Sequence, residues 1–175
     1  MPTDELREIL VSLPGAPADI YRRHQLVWRA MHNCTRPGSR FLFAAVSPHL
    51  VRVRGAIDRG RPAVLSDGDI RVDLVVASRH GNSMRALEDS ELPGWTRRLM
   101  QVHGYAVTDV TTLARGEALG RKLDKSTGQT LEIRLPVASL HLKTRIENRA
   151  RADLAWSHGI GRGRRFGYGM MFRAG

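Results

Sequence analysis

A chain of 175 residues, 42% of them hydrophobic and 26% charged, holds enough apolar material for a core in one large domain or two small ones. A single cysteine, Cys34, excludes a disulfide framework and a cysteine-rich zinc site, and the longest apolar run, Phe41 to Val46, is far too short to span a bilayer. Twenty-eight basic side chains face 17 acidic ones, a formal net charge of +11, which points to a polyanionic partner.

The excess is localised. Residues 86–140 carry seven basic and seven acidic side chains, whereas residues 141–175 carry eight basic and two acidic. Only three of the basic residues are lysine, so a genomic preference for arginine accounts for the type of cation but not for the surplus over acids. A net charge gathered this way is the electrostatic footprint of a polyphosphate-binding face. The opening MPTDELREIL lacks the positive charge and long apolar stretch of a signal peptide, so a cytoplasmic protein without membrane contact is expected.

In chain order, Leu6 to Leu13 reads as a strand ended by Pro14-Gly15. Asp19 caps a helix reaching about His32, with Ile20, Val27 and Met31 on one stripe. Asn33 to Ser39, containing Pro37-Gly38, reads as loop. Arg40 to Val46 and Leu50 to Gly55 are strands joined tightly at Ser47-Pro48. A Gly/Pro-rich loop at 58–68 follows, and Ile70 to Ala77 alternates as a further strand. This β-α-β-β-loop-β order is ferredoxin-like.

Residues 78–91 are polar and read as a linker. Trp95 to His103 is a short amphipathic helix ended by Gly104. Tyr105 to Leu113, Leu131 to Leu135 and Leu140 to Ile146 are expected strands, with Arg115 to Gly128 a basic, glycine-bounded loop. Asn148 to Ser157 is a second helix and Phe166 to Phe172 a closing strand. The second half thus repeats the βαββαβ pattern with its first strand unclear. The reading is an α+β protein of tandem ferredoxin-like (RRM-like) domains, 1–80 and 95–175, with 81–94 as linker.

Two stretches carry chemistry. In HGIGRGRRFGYGMMF, residues 158–172, five glycines and three arginines share eleven positions. Arg164 stands where a dinucleotide fingerprint needs glycine, and the Gly-Lys-Ser/Thr phosphate loop is absent. Met170, Met171 and Phe172 argue against a disordered tail. A G-x-G, five residues, G-x-G loop remains: Gly159, Gly161, Gly167 and Gly169, with Arg162, Arg164 and Arg165 available to a phosphate chain. In DIYRRHQLVWRAMH, residues 19–32, Tyr21 and His24 lie three apart on one helical face. Beside a phosphate such a pair moves protons without a metal. The alternative is a histidine at the core edge bonded to backbone, with Tyr21 packing. The other histidines, 32, 49, 80, 103, 141 and 158, show no metal-ligand spacing, and neither HExxH, paired carboxylates nor G-x-S-x-G occurs, so no metal and no cofactor is expected.

The early Y-x-x-H-x-x-x-W helix (Tyr21, His24, Trp28), the R-F-L-F strand at Arg40–Phe43, Trp95 with its helix, Gly104-Tyr105 and the terminal Gly159–Gly169 loop together resemble the CRISPR-associated repeat-RNA endoribonucleases, nearest to the CasE type of type I-E systems. A related nuclease of type IV systems shares that scaffold. The resemblance implies a tandem ferredoxin-like fold that binds a CRISPR repeat hairpin, cuts at its 3′ base and stays with the guide RNA among other effector-complex subunits. His24 matches the catalytic histidine and Tyr21 its neighbour. Metal-free attack by the RNA's own 2′-hydroxyl suits this inventory, because the protein need only orient groups and move protons. Arg29, Lys122, Lys125, Lys143 and Arg145 join the glycine-loop arginines as expected grips on the hairpin backbone. The rival reading, a non-catalytic hairpin-binding scaffold, keeps every binding feature and differs only at Tyr21 and His24. An RRM-type reader would need paired aromatics on central strands, and aromatics are only 6% of the chain.

Overall fold

The computed structural model describes residues 5–35 and 39–175; Pro37-Gly38 of the expected loop lie outside them. Strand β1 (Arg7–Ser12) leads to helix α1 (Ile20–Met31), whose start is set by Asp19: its backbone is extended and its side chain accepts the Arg22 N–H at 2.8 Å. Ile20, Val27 and Met31 form the buried stripe of α1. Strands β2 (Phe41–Ser47), β3 (Leu50–Gly55) and the two-residue β4 (Arg61–Pro62) complete an antiparallel sheet in the order β2-β3-β1-β4. That is the ferredoxin-like order with a loop where the second crossover helix would stand.

The second unit begins with β5 (Gly68–Val75). A small hairpin, β6 (Ala77–His80) and β7 (Ser83–Ala86), precedes α2 (Leu92–Val102). Then come β8 (Tyr105–Leu123), β9 (Thr130–Ile146), α3 (Arg149–His158) and β10 (Phe172–Arg173). The sheet order β10-β5-β9-β8 repeats the order of the first unit with both helices present. The molecule is a tandem of ferredoxin-like units.

Four local expectations are corrected. The Ile70–Ala77 strand does not close the first sheet; as β5 it pairs with β9 from Gly68–Thr144 to Val75–Val137 and opens the second unit. Alternation marks a two-faced strand but not its partner. The partner follows from packing, which buries Ile70, Val72 and Leu74 with Leu140, Leu142, Met100 and Tyr105. The 81–94 segment is not a plain linker, since it carries β7 and the first turn of α2. Arg115 to Gly128 is not loop as far as Leu123: β8 and β9 pair continuously to Leu123–Thr130, making Leu131–Leu135 and Leu140–Ile146 one strand. Gly120 is there for close approach, because a Cβ would stand 2.8 Å from Ile20 Cγ1 of α1. Finally, Phe166–Phe172 is strand only at its end; a single turn of 3-10 helix (Arg164–Phe166) precedes left-handed Gly167.

The two units meet around one buried cation. Arg54 of β3 is fully buried; its Nε donates to Glu8 of β1 at 2.7 Å, while Nη1 and Nη2 donate to the carbonyls of Trp156 and Met171, both at 2.8 Å. Its guanidinium also lies 3.8 Å from the centre of the Trp156 ring. Burial lowers the Arg54 pKa and the Glu8 carboxylate opposes that shift. Arg54→Ala leaves a largely buried carboxylate and two carbonyls of the other unit without their partner. It should cost about 3–5 kcal/mol in urea-denaturation midpoint analysis.

Candidate functional site

Helix α1 is tied at its start to the long hairpin: Asp19 Oδ2 accepts the Arg121 N–H at 2.8 Å while Oδ1 caps the helix. This holds the face of α1 that carries His24 and Trp28, four residues apart, against a cleft of about 820 Å³. The cleft is closed by β2, by β9 at Ile133 and Leu135, and by the glycine-rich segment from Gly161 to Phe166. Its lining holds four arginines (Arg40, Arg162, Arg164, Arg165) and two histidines (His24, His158), and no acid. An acid-free, arginine-rimmed cleft with apolar walls concentrates anions.

The glycine segment reaches this position by packing. Gly169 has φ 81°, and a Cβ there would lie 1.9 Å from the Ile160 carbonyl oxygen, so only glycine lets the two passes of the loop close. Gly159, Gly167 and Gly169 are buried, and their N–H groups go to Ala155, Arg164 and Asp73 carbonyls at 2.8, 3.2 and 2.7 Å. Of the four glycines expected at the ligand, Gly161 alone lines the cleft. Met170 and Phe172 pack on Leu42 and Ala44 of the first unit, whereas Met171 enters the second unit's core. The tail therefore wedges between the units and leaves the arginines at the rim.

His24 sits among aromatic rings, with centroids 6.0 Å from Phe166, 6.1 Å from Trp28 and 6.4 Å from Tyr21. Its Nδ1 is buried with no partner among the described residues. Desolvation lowers its pKa below the ordinary 6.5; the Arg165 carbonyl opposes the shift without a hydrogen bond of normal geometry to Nδ1, and the Arg165 guanidinium adds to it. Trp28 is 50% exposed and rests on Phe41, the rings tilted by 51° with centroids 4.9 Å apart, an exposed aromatic face beside the imidazole.

Other expected site residues fall elsewhere. Tyr21 is not part of the His24 cleft; with Gln25, Lys122 and Lys125 it lines a second cleft of about 500 Å³ under the hairpin tip. Arg29 is exposed on α1, five residues past His24 and so roughly 140° around the helix from it. Lys143 and Arg145 lie on β9 beyond Leu135 by roughly 25–35 Å at the usual rise, Arg145 beside Glu147 at 3.4 Å. Arg40, Ser157 and His158 are cleft residues that were not among the expected site residues, although Arg40 opens the R-F-L-F strand and His158 heads the glycine-rich stretch. Among the described residues no cluster of three or more His, Cys, Asp or Glu side chains is placed to hold a metal, and no helix is long and apolar enough to cross a membrane.

No protein-family model and no curated protein sequence matches this chain. Solved structures do share its architecture. Cse3 of Thermus thermophilus, bound to an RNA representing a pre-cleavage complex, superposes with a TM-score of 0.73 at 16% identity, over 98% of this chain and 100% of that one. The fold is that of the CRISPR endoribonucleases. Cas6e from Escherichia coli K-12 gives 0.64 at 14% identity over 95% and 97% of the two chains. A chain of a CRISPR RNA-guided surveillance complex gives 0.62 at 16% over 88% of each.

His24 provides a direct check on the site. A histidine whose folded pKa is depressed opposes folding once it must carry charge, so its contribution is complete above about 6.5 and lost as pH falls through the lower folded value. In a histidine-selective NMR titration, the resonance that disappears in His24→Ala should show a midpoint below 6.5.

Proposed function

We propose that this protein is a metal-independent endoribonuclease of the cytoplasm that binds a CRISPR repeat hairpin, cuts precursor CRISPR RNA, and stays with the guide RNA in an effector complex. One observation carries the reading: a desolvated histidine faces an acid-free arginine cleft in a fold shared with Cse3 and Cas6e.

The chemistry follows from that inventory. The 2′-oxygen upstream of the scissile bond attacks phosphorus, the O2′–P bond forms and the P–O5′ bond breaks, leaving a 2′,3′-cyclic phosphate and a 5′-hydroxyl. His24, neutral at pH 7, takes the 2′-hydroxyl proton. Arg162, Arg164 and Arg165 neutralise the phosphate, and the exposed Trp28 ring stacks the neighbouring base. Tyr21, facing the hairpin tip with Lys122 and Lys125, holds the RNA backbone one helical turn from His24. The rival reading of a binding scaffold differs only in whether His24 and Tyr21, neighbouring rings 6.4 Å apart, move protons.

Cleavage decides between them. Offered a repeat hairpin in excess EDTA, the protein should make one discrete cut. His24→Ala should bind within a few-fold of the parent and cut about 10²-fold more slowly or worse. A single deoxynucleotide upstream of the cut should abolish cleavage and spare binding; continued cutting of that RNA refutes attack by the 2′-oxygen.

Binding has its own signature. Replacing Arg162, Arg164 and Arg165 together by alanine should weaken hairpin affinity and lower the slope of log K against log salt by about 0.9 for each phosphate that is no longer neutralised. Filter binding at salt concentrations from about 50 to 200 mM reads both quantities.

A further inference from the structure

Resting on the nuclease reading, and going beyond it, we infer that His158 is the second proton-transfer group of the cleft: it protonates the departing 5′-oxygen while His24 takes the proton of the 2′-hydroxyl. The cleavage needs two proton transfers at opposite ends of the reacting phosphorus, and one imidazole cannot serve both ends at once. Tyr21, its ring centroid 6.4 Å from that of His24, packs beside the Phe166 cluster and opens toward the hairpin tip, away from the arginine turn. Of the ionisable side chains on the His24 cleft, four are guanidinium groups and two are imidazoles, His24 and His158; the imidazoles are the side chains whose chemistry both gives and takes a proton.

The local geometry presents His158 for this work. It is the last residue of α3, where Gly159 turns the chain out of the helix at φ 73° and ψ 171°. Its Nδ1 lies 3.1 Å from the Leu154 carbonyl and 2.9 Å from Ser157 Oγ. The carbonyl only accepts, and the Ser157 hydroxyl donates its own hydrogen to the Asp153 carbonyl at 2.8 Å, so Nδ1–H is the donor to both. That fixes the ring through Nδ1–H, so in the imidazolium form the Nε2–H is the proton free to be transferred. The side chain is exposed, unlike the half-buried His24. Its main-chain carbonyl accepts Arg164 Nη1 at 3.2 Å, which holds the arginine turn beside it. Three groups thus line one cleft: a desolvated base, arginine charge, and an anchored imidazole from the opposite unit.

The atoms balance. His158 starts as the imidazolium, passes its Nε2 proton to O5′ as the P–O5′ bond breaks, and becomes neutral. The 5′-hydroxyl leaves neutral, and His24, starting neutral, becomes the imidazolium with the proton taken from the 2′-hydroxyl. Solvent exchange then restores both imidazoles.

The test uses the full chain and two versions of a repeat hairpin whose cut site has been mapped with the parent protein: all-oxygen RNA, and RNA with sulfur replacing the bridging 5′-oxygen at the scissile bond. A thiolate leaves without needing a proton. His158→Ala should cut the all-oxygen hairpin about 10²-fold more slowly than the parent. It should cut the sulfur-bridged RNA within a few-fold of the parent, while His24→Ala stays slow on both. His158→Ala cutting the all-oxygen RNA at the parental rate overturns the assignment, and so does an equal deficit on both RNAs, which is what a structural role produces. Either result leaves the nuclease reading intact, because the parent still cuts. A parent that makes no cut to map in the repeat hairpin overturns the nuclease reading and this assignment together.

Discussion

Arg54 is the constraint on which the arrangement of this molecule depends. A guanidinium is desolvated only where geometry returns what water supplied, and here the return comes from both units at once: the carboxylate of Glu8 from the first, the carbonyls of Trp156 and Met171 and the ring of Trp156 from the second. The two carbonyls belong to the end of α3 and to the C-terminal tail, the elements that flank the glycine-rich segment. Fixing them fixes where that segment begins and ends. A hydrophobic contact of similar area would tolerate sliding between the units; a planar fork with four directed interactions does not.

The cleft is a consequence of that registration. It has one wall from α1 and β2 of the first unit and another from β9 and the glycine segment of the second. The tail threaded between them alternates its allegiance, Met170 and Phe172 to the first unit and Met171 to the second. Phe166, packed with Ile20 and Val75, is the side chain that carries this wedge up to the His24 ring. The low proton affinity of His24 therefore has a tertiary origin. Its desolvating neighbours come from α1 itself and from a loop more than 130 residues later in the chain.

The glycine density also has a different physical meaning from the one its composition suggests. Backbone freedom is used inward: Gly169 lets Ile160 approach, and Gly167 stands where a Cβ would meet the Phe43 ring at 2.6 Å. The arginines are displayed because the glycines that flank them, Gly159, Gly167 and Gly169, are packed. A loop held this way presents charge with little freedom left to lose on binding, which is the condition for preorganised electrostatics.

Much of this was legible in the chain. Local chemistry determined α1, its Asp19 cap and its buried stripe, the β2–β3 hairpin, both helices of the second unit, the basic terminus, and the Tyr21/His24 face, because capping, periodicity and charge are written within a few residues of where they act. The partner of β5 was not legible, since alternation specifies faces and not neighbours. The 105–123 strand was masked by Gly116 and Gly120, which read as loop punctuation until α1 is seen lying against Gly120. Spacing placed Tyr21 and His24 on one helical face, where their rings are neighbours 6.4 Å apart, but did not specify what each meets: the hairpin tip beside Tyr21 and the arginine turn beside His24. Sequence determined which groups were available and on which elements. The meeting of His24 with His158 and the arginines, drawn from both ends of the chain, was decided by the packing of two units around one buried cation, and no local rule encodes a contact between residues that far apart.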